Sequence, residues 1–427
     1  MTPAAGKERK TEGESSRPRP EGVSRWLPFA GLDSRSAWLR GALLIGCLLG
    51  MVISYRVWFT ARAFPLLPIF NGFPILTPPL DNCLFGAMLA ALVVAMWFYR
   101  TGVVFFLAAS FFAYCQDENR GQPWLYMYWV MLLLTLFPEP DASVACRMAI
   151  SVAYVWGGIQ KLQPAFFRRV PDWFVAPAAT QWHLPDAIVH LLSWSVTCAP
   201  IFELFIGVFL WTSRFRKAAI VAAMLVHLMA LLFLGPLGRN YNAVIWPWNV
   251  TMIIMIIALF GGLAQSRAQS ATTNAFDNLQ NFTALRRSWP ALVIVALYSF
   301  LPVLSYTGAW DSYFSFTLYA ENQSKADIFV TEAFASRLPS ALRAHVHKLR
   351  QDYNPQFQGP FVLDFQGWGM TELSVPPLSE PRSFLRIFHY LGRYSKESDD
   401  LRMTISPRQG PVVFYQGDFH LVIPPPQ

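Results

Sequence analysis

Roughly nine apolar stretches follow one another between Trp38 and Ser305, separated by short polar or proline-containing connectors. An apolar stretch predicts a membrane-spanning helix when it approaches about 20 residues, because each helical residue advances about 1.5 Å through the hydrocarbon. Three stretches are short for that length, so we expect about eight to ten spans. The predicted spans are residues 37–59, 82–99, 101–115, 124–137, 142–160, 188–211, 218–234, 241–260 and 289–305.

The two ends of the chain have a different pattern. Residues 1–35 are rich in Lys, Arg, Glu, Pro and Ser and show no hydrophobic period, which predicts a disordered basic tail. The tail is too long and too charged to begin a signal peptide, and no clear small-residue cleavage site follows it. The first span is therefore expected to be retained.

The C-terminal region, residues 306–427, is long enough for a small domain. Its short aromatic and β-branched runs predict strands, and two amphipathic segments predict helices with basic polar faces. The predicted strands lie within 313–322, 327–334, 360–368 and 412–423, and the predicted helices within 340–353 and 382–394. The predicted fold class is an all-α polytopic membrane bundle of about nine transmembrane helices over residues 36–305, with a small C-terminal α+β extramembrane domain over 306–427.

Two connectors, residues 64–80 and 163–185, are too apolar and too rich in proline for ordinary loops. They resemble interfacial or re-entrant segments. The alternative is that they only pack across the helix ends.

Composition supports the membrane class. Apolar residues make up 54% of the chain and charged residues only 14%, far from the averages of soluble domains. The net charge of +8 comes from basic residues scattered in the tails and short loops, so it indicates membrane topology rather than nucleic-acid binding. The five cysteines lie in or beside apolar runs, which predicts packing roles and no disulfide framework.

Charge counting predicts the orientation. With nine spans, the basic tail and the linkers that hold Arg100, Arg214 and Arg286 fall on one side of the membrane. The positive-inside rule makes that side cytoplasmic. The sequence thus predicts a multi-pass protein of a bacterial inner membrane, with its N-terminus inside and residues 306–427 outside.

Four ionisable residues sit within or at the ends of the spans: Arg147, Lys161, Glu203 and His227. Charges at membrane depth are costly and usually face a protein interior or a wet cavity. Lys161 ends the run "YVWGGIQKL", where desolvation would favour a neutral amine able to act as a base. A lysine at a helix end that simply reaches the interface is an equally weighted alternative.

Glu203 and His227 lie at similar predicted depths in consecutive spans, so we expect them to meet, with Arg147 as the ion partner of the acid. A structural hydrogen bond is the simpler interpretation of such a pair. A third ligand is not apparent, and no metal site is predicted. Asp117, Glu118 and Asn119 are expected to cap helices, or else to supply pocket acceptors.

Residues close to Lys161 in sequence are candidates for a ligand pocket. Gly157 and Gly158 permit close approach of another helix or of a ligand. Trp156, Trp173 and Trp182 are candidate aromatic walls. The chain has no phosphate-binding glycine loop, no HExxH and no GxSxG, which weakens ATPase, zinc-protease and serine-hydrolase interpretations.

The order of these features resembles the horizontally transferred transmembrane (HTTM) domain family, the bacterial relatives of vitamin K-dependent γ-carboxylase. The resemblance covers about residues 36–320 and rests on the basic tail, the proline-rich first connector, "GGIQKL", "FELFIGVFLW" and "LVHLM". It implies that Lys161 matches the base that deprotonates a reduced quinone, the vitamin K-like cofactor. Glu203 and His227 match an acidic and a histidine position of the family.

The chain departs from the family where Gln160 replaces the first lysine of a pair and where "FPEPDASVA" lacks a further histidine. The outer region is also much smaller, so quinol chemistry is expected more than protein carboxylation. The leading hypothesis is a quinol-epoxidising or carboxylase-like membrane enzyme, with lipid, a quinol and a peptide or protein substrate as its expected partners. The alternatives are a non-catalytic membrane module that binds a partner or lipid, and a transporter, for which no inverted repeat is visible.

Overall fold

A computed structural model describes residues 33–262, 288–349, 360–417 and 419–423. The predicted basic tail up to residue 32 and the connector with Arg286 lie outside these ranges, as does part of the helix predicted at 340–353.

Helices dominate the part of the chain that precedes residue 305. They are α1 (Ser34–Ile53), α2 (Tyr55–Trp58), α3 (Leu80–Val94), α4 (Tyr99–Gln116), α5 (Pro123–Leu134), α6 (Asp141–Lys161), α7 (Pro164–Gln181), α8 (Asp186–Thr197), α9 (Ala199–Phe209), α10 (Arg216–Leu234), α11 (Ile245–Ile256, continued by a π-helix, Ile257–Gly261) and α12 (Trp289–Leu304).

Four helices in the described ranges are long and apolar enough to cross a membrane: α1, α6, α10 and the segment Trp289–Thr307 that contains α12. The pair α8 and α9 adds a fifth candidate if it is one span bent by 46°. Three further apolar helices are shorter, including α5. The structure therefore supports a helical protein of the membrane class, whereas the predicted number of nine spans is not supported.

The bend between α8 and α9 has a local cause. Pro200 lies in the first turn of α9 and has no N–H to donate back along a continuous helix. Its ring also crowds the carbonyl one turn back, in α8, so the helix breaks at Cys198, between α8 and α9.

Several connectors meet at one end of the bundle. The backbone N–H of Glu118, after α4, donates to the carbonyl of Leu67, after α2. The amide of Gln163, after α6, donates to the carbonyl of Ala320, and Asn242, after α10, reaches the hydroxyl of Tyr319 at 3.5 Å. The C-terminal region rests on this end, which we call the domain end.

The C-terminal region forms a six-stranded antiparallel sheet in the order β2-β3-β1-β4-β5-β6. Its strands are β1 (Lys325–Val330), β2 (Val346–Lys348), β3 (Phe361–Leu363), β4 (Leu401–Ser406), β5 (Val412–Gln416) and β6 (Phe419–Ile423). Its helices are α13 (Glu332–Arg337), α14 (Ser340–Arg343), α15 (Phe365–Leu373) and α16 (Pro381–Gly392). The small α+β fold was correctly predicted.

Two predicted elements of this region are wrong. The segment 313–322 is not a strand, because Phe316, Tyr319 and Glu321 adopt left-handed φ values of 62°, 61° and 57°. The predicted helix at 340–353 is limited to α14 in its described part, and β2 follows it at once. The helix predicted at 382–394 is α16.

The two proline-rich connectors differ. Residues 64–80 contain no described strand and, except for Leu80, no helix; they pack across the helix ends, where Phe64 lies 4.7 Å from the ring of Trp368. Residues 163–185 instead form α7, whose inner face is buried through Phe166 and Val175.

Candidate functional site

Lys161 pairs with Glu203 at the domain end of α6. The lysine Nζ donates to both carboxylate oxygens, at 2.7 Å and 3.0 Å, and to the carbonyl of Gly157 at 3.1 Å. The two side chains are only 14% and 13% exposed. Lys161 is therefore held back along its own helix rather than extended into solvent.

The two glycines of α6 serve different neighbours. A Cβ on Gly157 would lie 3.1 Å from the Glu203 carboxylate and 3.7 Å from the Lys161 Nζ, so this position leaves room for the ion pair. A Cβ on Gly158 would lie only 2.6 Å from the carbonyl of Pro200. Gly158 thus lets α9 approach closely, and Gly157 faces the ion pair.

The ion pair opens on a cavity of about 480 Å³ between α6, α7, α9, α10 and α11. Its walls are mostly apolar, with Phe174, Met229 and Trp248 among them. At the domain end the segment after α12 contributes Phe316 and Tyr319. Such a mostly apolar enclosure with a few polar groups is typical of small-molecule sites.

One side of the cavity faces outward from the bundle. Phe202 on α9 and Leu225 on α10 line the cavity, yet they are 49% and 56% exposed. Exposed apolar side chains on candidate membrane helices face hydrocarbon in a membrane protein.

His227 belongs to a separate hydrogen-bonded group in the same cavity. Its Nε2 lies 2.5 Å from the hydroxyl of Tyr154, and its Nδ1 lies 2.7 Å from Oδ1 of Asn249. The predicted contact between His227 and Glu203 is therefore wrong, because the carboxylate is engaged by Lys161 and the imidazole by Tyr154 and Asn249.

Arg147 lies apart from both groups. Its Nε donates to the carbonyl of Leu259 and its Nη2 to the hydroxyl of Ser143. The predicted pairing of Arg147 with Glu203 is wrong: α6 carries Arg147 near its start and Lys161 at its end, about 21 Å apart along the helix.

The three predicted tryptophan walls lie outside the cavity lining. Trp156 donates to the carbonyl of Ser299 at 2.9 Å, on the side of α6 that packs against α12. Trp173 stacks on Tyr319, at 5.8 Å between ring centroids, and so supports a lining residue from behind. Trp182 packs in a small cluster with Val175 and Phe233.

Sequence reasoning missed Tyr154 and Asn249. Tyr154 shares a face of α6 with Gly157 and Lys161, a spacing of three and then four residues that could have indicated it. Asn249 is an amide inside an apolar run, a weaker signal, and only its contact with His227 distinguishes it.

No protein-family model matches the chain, and neither the curated proteins nor the solved structures contain a significant match. The resemblance to the HTTM family stays a prediction.

Proposed function

We propose that this protein is a membrane oxidoreductase that binds a reduced, vitamin K-like quinone in the cavity and removes a proton from its hydroxyl group with Lys161. The observation that supports the proposal most is a lysine–carboxylate pair in a mostly apolar cavity with a side facing out of the bundle. Dioxygen would be the oxidant of the deprotonated quinol. Carboxylation of a protein is not part of the proposal.

The ion pair supplies the base by moving a proton internally. Transfer of one proton from the Lys161 ammonium to the Glu203 carboxylate leaves a neutral amine beside a carboxylic acid. The transfer replaces two opposite charges by two neutral groups in a mostly apolar cavity. The amine then accepts the quinol proton, which leaves the Lys161 ammonium beside the quinol anion, while Glu203 keeps the proton that it received first.

The outward-facing Phe202 and Leu225 favour a lipid-soluble ligand. A long-chain quinol is dissolved in the membrane, so lateral access needs no aqueous route. A water-soluble substrate would gain nothing from an apolar opening on this side of the cavity.

The first prediction tests Lys161 directly. Purified protein in liposomes, supplied with a 1,4-naphthoquinol and dioxygen, should form the epoxide. Lys161→Ala should lower the rate by about 100-fold or more, the range for loss of a general base. Lys161→Arg should fail as well, since a guanidinium remains protonated.

The matched control is Lys325→Ala, which removes an exposed lysine of β1 and should leave the rate unchanged. Activity retained by Lys161→Arg would overturn the assignment of the base. Absence of quinol turnover in the unchanged protein would favour the non-catalytic alternative, a membrane module that binds lipid or a partner.

We further propose the finer topology: nine crossings, the N-terminus in the cytoplasm and the C-terminal domain outside. The basic linkers and the presence of a described helix in each of the nine predicted stretches favour it, although only four of these helices, or five with the bent pair, are long and apolar enough to cross a membrane. In a variant without the five native cysteines, Ser16→Cys and Ser398→Cys should label from opposite sides. Labelling from one side would show that the number of crossings is even.

A further inference from the structure

The group formed by Tyr154, His227 and Asn249 has a defined hydrogen-bond direction. The Asn249 amide nitrogen donates to the carbonyl of Ile245 at 2.7 Å, so its oxygen faces His227 as an acceptor. His227 therefore donates through Nδ1, and its Nε2 is left as an acceptor. The Tyr154 hydroxyl donates to that nitrogen at 2.5 Å.

This group forms a second polar wall of the cavity that contains Lys161. Tyr154, His227 and Asn249 all line it, and each is at most 9% exposed. Tyr154 is two helical turns from Lys161 on α6, but the lysine Nζ reaches back to the carbonyl of Gly157. The two polar groups thus stand about one turn apart along the same helix face.

We propose that the Tyr154 hydroxyl receives a hydrogen bond from a second hydroxyl of the ligand, so that the cavity selects an aromatic diol in its reduced form. This inference rests on the proposed function and names the residue that would distinguish the reduced ligand from the quinone. Asn249 holds the imidazole of His227 in the orientation that keeps Nε2 towards the Tyr154 hydroxyl, as the third group of a hydrogen-bonded triad does. Because the Tyr154 proton is committed to His227, the tyrosine oxygen faces the ligand as an acceptor. A quinone carbonyl has no proton to donate to it, whereas a quinol hydroxyl has one.

The test compares 1,4-dihydroxynaphthalene with 4-methoxy-1-naphthol, in which one hydroxyl is masked, under anaerobic conditions. Affinities can be read from quenching of Trp248, a cavity residue, as part of the total tryptophan fluorescence. The unchanged protein should prefer the diol by about threefold to tenfold, the range for one hydrogen bond. If the unchanged protein binds the diol and the methoxy compound with equal affinity, the inference is wrong, whatever the variants show.

Tyr154→Phe should reduce the affinity for the diol and leave the affinity for the methoxy compound unchanged. The ratio of the two affinities should then be close to one. The matched control is Tyr298→Phe, since Tyr298 is also buried, its hydroxyl has no partner in the described structure, and it does not line the cavity. A full preference retained in Tyr154→Phe would refute the role of Tyr154. If Lys161→Ala abolishes turnover in that case, only this inference fails, and the proposed function stands.

Discussion

The adjacent glycines Gly157 and Gly158 of α6 have different neighbours, so alanine at the two positions should change the stability of the protein by different amounts. Replacement of Gly158 by alanine would place a methyl group 2.6 Å from a backbone oxygen of Pro200, which cannot move without shifting α9. We expect Gly158→Ala to lower the free energy of unfolding by about 1–3 kcal/mol through overpacking. Thermal unfolding of the purified protein in detergent measures this effect.

Gly157→Ala is the informative neighbour. Its methyl group would meet only the ends of the flexible Glu203 and Lys161 side chains, at 3.1 Å and 3.7 Å. Alanine favours the helix over glycine by about 1 kcal/mol, which offsets the cost of this close contact. The free energy of unfolding should therefore change little. Gly86→Ala, at a glycine of α3 with open space around it, is the control and should be neutral or stabilising. A Gly158→Ala variant as stable as these two would contradict the close approach of α9.

Lys161 could be found from the sequence because a charge in an apolar run is conspicuous. Its partner, Glu203, could not be found in this way, because depth along the predicted helices placed Glu203 beside His227 instead. The break at Pro200 divides the predicted span into α8 and α9, which changes where Glu203 points. The contacts of Glu203 depend on this bend, which composition and periodicity do not encode.

At the scale of elements, Asp400 connects two parts of the C-terminal domain. Its carboxylate accepts hydrogen bonds from the backbone N–H groups of Lys396 and Glu397, from the hydroxyl of Thr331 and from Arg337. Burial acts to raise the pKa of Asp400, but these hydrogen bonds and the arginine hold it below its ordinary value of 3.8. The charged form is therefore favoured in the folded state.

The lowered pKa predicts a pH dependence. A carboxyl with a depressed folded pKa contributes stability above its ordinary value and loses it as pH falls through the folded value. Asp400→Asn should therefore destabilise the sheet at neutral pH by about 1.5–3 kcal/mol, and its difference from the unchanged protein should shrink below about pH 4. The rate of amide hydrogen exchange in β1 and β4, measured at both pH values, reports this loss of stability.

The neighbouring residue Asp399 provides the control. Its side chain is 62% exposed, so Asp399→Asn should have little effect on exchange in β1 and β4. Equal effects of the two substitutions would show that Asp400 is not the connecting residue.

The strands of the C-terminal domain were predictable where aromatic and β-branched residues run together, as in β5 and β6. The strand β4, in which buried and half-buried side chains alternate, was not predicted. Prediction failed at 313–322, where aromatic side chains pack against the domain end of the bundle instead. The ring centroids of Phe314 and Tyr126 are 4.6 Å apart, and those of Phe316 and Tyr298 are 5.4 Å apart. The same apolar pattern serves both kinds of packing, so the pattern alone does not distinguish them.

At the scale of the whole molecule, the C-terminal domain is attached to the bundle by polar contacts. Glu118 accepts from Arg382 and Arg386, both at 2.8 Å, and Asn119 accepts from the backbone of Leu378 at 3.0 Å. Residues 117–119 were expected to cap helices or else to supply pocket acceptors, and Asp117 does cap the turn that follows it. Docking was not predictable, because Asn119 and its partner Leu378 are 259 positions apart in the chain.

Arg408 extends this attachment to the neighbour of the candidate base. It lies in the turn between β4 and β5, and its guanidinium donates to Gln160 at 2.6 Å, to Ser305 at 2.6 Å and to Asn322 at 2.9 Å. Gln160 is fully buried and directly precedes Lys161. One side chain of the C-terminal domain thus joins the end of α6, the end of α12 and the segment that covers the cavity.

The last prediction concerns Arg408→Ala, which should free the final turn of α6 and the segment around Asn322 together. Hydrogen exchange should accelerate in both, while exchange in β4 and β5 changes little, because the hairpin keeps its own ladder. Arg408→Lys should not restore protection, since an ammonium does not provide the planar fork that reaches three acceptors. Arg393→Ala, at an exposed arginine that lies over the rings of Tyr390 and Tyr394 within its own domain, is the matched control. Unchanged protection at both sites in Arg408→Ala would mean that the domain rests on the bundle without ordering the end of α6, and the Lys161 site would then be organised by α9 alone.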